Sequence, residues 1–241
     1  APAARRPLSE RCIDAGVILG AMLFLILPLA LLFIKGAVGV PDLGAPVWFA
    51  ALRSLALALG ATLLCLCFAL PLATRWGELI ATLGIAVSPL VLGTGLFLIV
   101  RPYVNPFDVA LGVTVCVNAL MSLPFALRIL RPEVQAVEQN FSHLSAALGL
   151  GAWGWFRWVM LPRLRRPLGF AAGLTAALSM GDLGVIALFG DAERATLPLK
   201  LYQLMGSYRM DQAAAAAVLL LALSLGLFWL FDRVGRYGAQ D

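Results

Sequence analysis

Long apolar runs, broken at intervals by short polar signals, organise this chain. The stretch GAMLFLILPLALLFI at 20–34 is apolar at every position and offers water no polar face in either helical or strand period. A helix needs about 20 such residues to cross roughly 30 Å of hydrocarbon at about 1.5 Å per residue. A membrane β-barrel would show segments of about ten residues alternating apolar and polar, which these runs do not. The pattern predicts an all-α membrane protein with six transmembrane helices, at 16–35, 54–74, 79–100, 107–130, 167–190 and 212–231. Turn-forming or charged stretches separate them: Lys35 with Gly36, RWGE at 75–78, RPYVNP at 101–106 and DAERATLP at 191–198. Pro28, Pro71, Pro89 and Pro124 fall inside these spans, where they are expected to kink helices.

Composition agrees with the pattern. Of 241 residues, 61% are hydrophobic and only 13% charged, about half the charged share of a soluble domain. The net charge of +5 raises the question of a nucleic-acid partner, but the distribution of the basic residues answers it differently. Two-thirds of the 18 Lys and Arg residues lie at the two termini and in the alternate connections on the same side. By the positive-inside rule both termini are then cytoplasmic, and no nucleic-acid site is needed. The chain divides into a cytoplasmic N-terminal segment at 1–15, a first helix with its outer loop at 16–47, a transmembrane domain at 48–235 and a cytoplasmic tail at 236–241. The first apolar run is too long for a signal peptide and has no cleavage pattern behind it.

Enzymatic chemistry finds no footing. Cys12, Cys65, Cys67 and Cys116 lack a two-pair metal spacing, and three of them sit inside apolar runs as small packing residues. His143 is the sole histidine, so no multi-histidine metal site is expected. There is no phosphate-cradling GxxxxGK[ST] and no nucleophile–base pair in a polar region. The expectation is a chain without catalytic residues or cofactor, which does not itself hydrolyse ATP.

The longest connection, at 131–166, is cytoplasmic by the charge rule and carries too many Leu, Trp and Phe for disorder. Its SHLSAAL at 142–148 predicts a short helix with Ser142 as N-cap, ended by the backbone freedom of Gly149 and Gly151. A second short helix is expected at 153–160, before Pro162. Trp153, Trp155, Phe156 and Trp158, with Arg157, Arg163, Arg165 and Arg166, suit either an anchor in the headgroup belt or a docking surface for a cytoplasmic partner.

Spacing separates those two readings. The loop resembles that of the permease subunits of ATP-binding-cassette importers, whose pattern is Glu-Ala-Ala, three residues, Gly, and later Leu-Pro. Gly149 stands at the family glycine, and Leu161 with Pro162 at the Leu-Pro end, whereas the Glu-Ala-Ala positions hold His143, Leu144 and Ser145. NALMSLPFALRILRP at 118–132 and LTAALSMGDLGVIALFG at 174–190 resemble the family's helices before and after the loop. TLPLKLYQLMGSYRMDQAA at 196–214 is similar to an outer loop of bacterial thiamine permeases and, less closely, of iron(III) permeases. The resemblance implies a type I importer (MetI-like) permease fold in the bacterial inner membrane. It implies a docking loop for a dimer of cytoplasmic ATP-binding subunits, formed by His143, Leu144, Ser145, Gly149, Gly151, Trp153, Leu161 and Pro162. A periplasmic substrate-binding protein would meet Tyr202, Gln203, Gly206, Tyr208 and Arg209. Thiamine permeases are similar to two fused six-helix halves; this chain looks like the second, which implies a partner half. The implied function is translocation of thiamine or its phosphate esters, with iron(III) or another small solute as the alternative.

Asp182 is the one acid deep in an apolar run, about 15 residues or roughly 22 Å beyond the cytoplasmic start of its helix. A charge facing lipid there costs at least about 2.5 kcal/mol, so it is expected to face the bundle interior or a wet cavity. Either it lines a pathway for a cation together with Gly181 and Gly184, or it caps a broken helix. A transporter of another class, driven by an ion gradient, would use Asp182 as its coupling carboxylate; a membrane scaffold would have no pathway at all.

Overall fold

The computed structural model describes residues 8–73, 77, 79, 81, 82, 84, 86–189 and 195–237, with the backbone alone for 8–13, 106, 107, 145, 146, 188 and 189. The expected boundaries at RWGE and at the start of DAERATLP, the first residues of the N-terminal segment and most of the C-terminal tail lie outside the described residues. Seven helices carry the architecture: α1 (Leu8–Gly36), α2 (Ala45–Ala69), α3 (Pro89–Val100), α4 (Pro106–Ala147), α5 (Leu161–Met180), α6 (Leu197–Gly206) and α7 (Met210–Tyr237). There is no strand among the described residues.

The core is a bundle of α2, α4, α5 and α7 with α5 at its centre, touching each of the other three. The residues it buries are small. On α2 they form a stripe of Ala50, Ser54, Ala58, Ala61, Cys65 and Ala69, at the three-to-four spacing of one helical face. In lipid, apolar side chains gain little by leaving a solvent as apolar as themselves, so close backbone approach supplies the packing. The crossing of α5 and α7 shows how far this goes. Gly169 and Gly173, four apart on α5, lie against α7; a Cβ built on Gly169 would stand 2.6 Å from the Phe231 carbonyl oxygen and 2.7 Å from the Gly235 Cα. A Cβ on Gly235 would stand 2.8 Å from the Arg165 carbonyl oxygen, so neither residue can be larger without parting the helices. Alongside, Phe170 meets Phe228 edge to face at 5.5 Å. Helix α1 stands apart: its apolar residues are exposed on all sides, as suits a helix wetted by lipid, and it reaches the bundle where Gly36 abuts Ala214 and Val218 of α7.

Among the described residues, four helical segments are long and apolar enough to cross a membrane: 14–39, 45–69, 108–144 and 210–237. Two of the six expected spans are therefore not single long apolar helices, and each has a local cause. The span expected at 79–100 breaks at 86–88, and Pro89 opens a fresh helix of 12 residues, because proline suits the first turn and not the interior. The span expected at 167–190 ends at Met180; a non-helical stretch follows before the single turn Ile186–Phe189. Two of the four prolines thus mark ends: Pro89 begins α3, and Pro71 lies just beyond the end of α2, while Pro28 and Pro124 stay inside helices. Helix α2 begins at Ala45, nine residues ahead of the expectation, since the chain places Pro46 in its first turn.

The loop at 131–166 differs most. No separate helix starts at Ser142: α4 runs unbroken for 42 residues, through Pro132 to Ala147. At about 1.5 Å per residue that is roughly 63 Å, about twice the hydrocarbon thickness, so α4 continues well outside the membrane as an arm. The returning chain is helical from Ala152 onward, through a π-helical turn at Trp155–Met160 that runs straight into α5. In that turn the Leu161 N–H donates to the Phe156 carbonyl, five residues back. The widened turn immediately precedes Pro162, whose ring would clash with the carbonyl four residues earlier in a regular helix.

Candidate functional site

The corner between the arm and α5 is built from an αL residue. Gly149 has φ +62, the conformation that glycine adopts without steric cost, and it ends α4 after the Leu148 N–H has bonded to the Leu144 carbonyl. Gly151 then takes an extended conformation as N-cap of the returning helix. The corner exposes Leu144, Leu148, Trp153 and Trp158, the two tryptophans at 71% and 70%. His143 is exposed beside them; the side chain of Ser145 lies outside the described residues. Leu161 and Pro162 are half-buried at the start of α5, a π-helical turn away from the corner, so they support it and do not form its surface. Below the corner the arm is locked to α5: Leu127, Leu130 and Leu164 are wholly buried in one cluster with Val134, Met160 and Leu168. Arg163 lies over the ring of Phe141 at 3.8 Å from its centroid.

A second assembly surrounds Asp182. Asn118 on α4 donates to the Ser179 hydroxyl at 2.9 Å, pinning the last turn of α5. Two residues beyond, the helix breaks, and one Asp182 oxygen, Oδ1, accepts the Gly184 N–H at 3.1 Å. This bond holds the turn that follows the break. Its other oxygen, Oδ2, is shielded from solvent and has no hydrogen-bond partner among the described residues. Gly184 closes against the other break, since a Cβ there would lie 3.4 Å from the Pro89 Cβ. Between the two breaks is a cavity of about 160 Å³, lined by Pro89, Asn118, Met121, Ser122, Phe125, Leu178, Ser179 and Asp182. The sequence reading had Asp182 with Gly181 and Gly184 and missed Asn118, Ser122 and Ser179. Their signal was present: Asn118 and Ser122 are polar residues four apart inside an apolar run, and so share a helix face.

The third assembly lies at the other end of the molecule. Ser54 of α2 accepts the Leu197 N–H at 2.8 Å and so satisfies a donor in the first turn of α6. At the far end of α6 the Tyr208 N–H bonds to Met205 and the Arg209 N–H to the Leu204 carbonyl at 3.0 Å, the paired bonds of a Schellman turn. The left-handed position of that turn, usually glycine, is Tyr208 with φ 58, and its side chain is 88% exposed. Tyr202, Met205, Gly206 and Met210 are exposed nearby, with Gln203 half-buried. No three of His, Cys, Asp and Glu converge as a metal site among the described residues.

Residues 68–236 match the family described as binding-protein-dependent transport system inner membrane component. Among curated proteins, the chain is 37% identical to a thiamine transport system permease protein of Brucella abortus (strain 2308), over 93% of this chain and 44% of the relative. It is 35% identical to the protein of that name from Salmonella typhimurium and 34% to that from Escherichia coli (strain K12), each over 97% of this chain and 47% of the relative. The matched part is their C-terminal half, so the chain spans less than half the length of these relatives.

Proposed function

The chain belongs to the binding-protein-dependent transport system inner membrane components, a family of multi-pass permeases and not of enzymes, and from that premise we propose that it is a translocation subunit of an ATP-driven thiamine importer. The observation that carries the mechanism is the arm. Helix α4 is about twice as long as a membrane is thick, and it ends in an exposed apolar corner turned by Gly149. A dimer of cytoplasmic ATP-binding subunits would seat on Leu144, Leu148 and Trp153. Because the arm and α5 share a buried cluster, a displacement imposed at the corner reaches the broken end of α5 at Asp182 as a rigid-body tilt. The cavity at Asp182 would lie on the route, and a pseudo-symmetric second half would close the other side.

The orientation follows from the same assignment: corner and both termini in the cytoplasm, and the Tyr202–Arg209 segment facing a periplasmic binding protein that delivers the substrate. Thiamine is proposed over iron(III) or another solute because the relatives matched across nearly the whole chain are named as thiamine permeases. The docking role is tested by co-purification of the ATP-binding subunit with the full permease. Trp153→Asp and Leu148→Asp should each abolish it while leaving the permease in the membrane; retention of the subunit by both variants would remove the corner from the mechanism.

A further inference from the structure

We propose that the cavity between the two helix breaks is a substrate subsite which holds the permanently cationic ring of the substrate, so that this chain takes part in selection and does not merely open. This rests on the reading of the chain as a thiamine-conducting subunit. The helical breaks alone do not need a carboxylate with a spare oxygen: Oδ1 already caps Gly184, and an amide would cap it equally. Asp182 Oδ2 is nonetheless shielded and unpartnered in a part of the chain where an uncompensated charge is costly. What the cavity adds is a set of neighbours suited to an organic cation. Phe125 supplies an aromatic ring and Met121 a polarisable thioether, while Asn118 and Ser179 are held by each other and leave Asp182 as the charged group of the lining. The cavity, about 160 Å³ and open on one side, has room for a ring with small substituents. Phe125 and Leu178 are themselves partly exposed, at 37% and 43%, so the cavity opens on a side that the chain's own helices do not cover. The remainder of the substrate would extend that way, toward the second half.

The test is equilibrium dialysis of labelled thiamine against the purified full transporter, two-half permease with ATP-binding subunits, without the binding protein. The expected result is saturable binding that a small quaternary thiazolium competes for and an uncharged thiazole of the same size does not. Asp182→Asn, which preserves the cap, and Phe125→Leu, which keeps an apolar side chain without the ring, should each weaken binding at least tenfold. Co-purification of the ATP-binding subunits and an unchanged gel-filtration profile show that each variant is folded. Equal competition by the uncharged thiazole, unchanged binding in both variants, or no saturable binding by the wild type would overturn the subsite. Uptake into proteoliposomes separates this from the parent reading: thiamine uptake by the wild type with any of those results leaves the importer and removes the subsite, whereas no thiamine uptake removes both.

Discussion

The guanidinium of Arg163 lies 3.8 Å from the ring centroid of Phe141, joining the outer turns of the α4 arm to the start of α5. The contact lies beyond the buried Leu130–Leu164 junction, toward the Gly149 corner, so the two form a double attachment that resists splaying. A cation–π contact of this kind contributes about 0.5–2 kcal/mol. Phe141→Ala should therefore loosen the lever without removing the docking corner. The expected outcome is retained ATP-binding subunit with several-fold more ATP hydrolysed per thiamine accumulated; an unchanged ratio would show that the contact carries no motion.

The crossing of α5 on α7 predicts an asymmetric glycine series. Gly169→Val places a branched side chain where even a Cβ would stand 2.6 Å from the Phe231 oxygen, and should destabilise the bundle by about 1–3 kcal/mol. Gly95→Ala, in α3 with open space around it, should be neutral or stabilise by about 0.5–1 kcal/mol. Thermal unfolding in detergent reads both, and equal shifts would contradict the close approach.

Tyr208 occupies a position where glycine costs nothing. A left-handed conformation costs a side-chain-bearing residue about 1–2 kcal/mol, and the residue that bears it here has an 88% exposed aromatic side chain. Tyr208→Gly should raise the unfolding temperature and lower stimulation of ATP hydrolysis by the binding protein. A variant that is more stable and equally stimulated would assign the ring no role in that contact.

Much of this was legible in the chain because its causes are local. Apolar runs gave the helical class, and the Gly149 spacing marked a corner that the structure builds with φ +62. What escaped is decided between segments. Ser142 reads as an N-cap, yet the buried Val134 and Val137 hold the residues beyond Pro132 on the bundle and let α4 run through. The break after Met180 depends on Asp182 bonding forward to Gly184, and on Asn118 holding Ser179 from another helix 61 residues away. The identity of the Asp182 neighbours needed that long-range pairing.

The proposed orientation gives a labelling prediction. In a cysteine-free background, a cysteine at Gln139, exposed on the arm, should be protected from an impermeant thiol reagent in intact cells. One at Tyr208 should be labelled. The reverse pattern would place the corner outside and leave no ATP-binding partner for it.

The most direct measurement is accumulation of labelled thiamine in proteoliposomes holding the full permease, with ATP, the ATP-binding subunits and the binding protein supplied or withheld in turn. The account predicts accumulation only when all three are present. It also predicts loss of accumulation in Gly149→Asp, which charges the docking corner; the added Cβ meets no neighbour within 4 Å, and the strain of a side chain at φ +62, about 1–2 kcal/mol, is read separately by thermal unfolding in detergent. Accumulation driven by an ion gradient without ATP, or undiminished in Gly149→Asp, would contradict it.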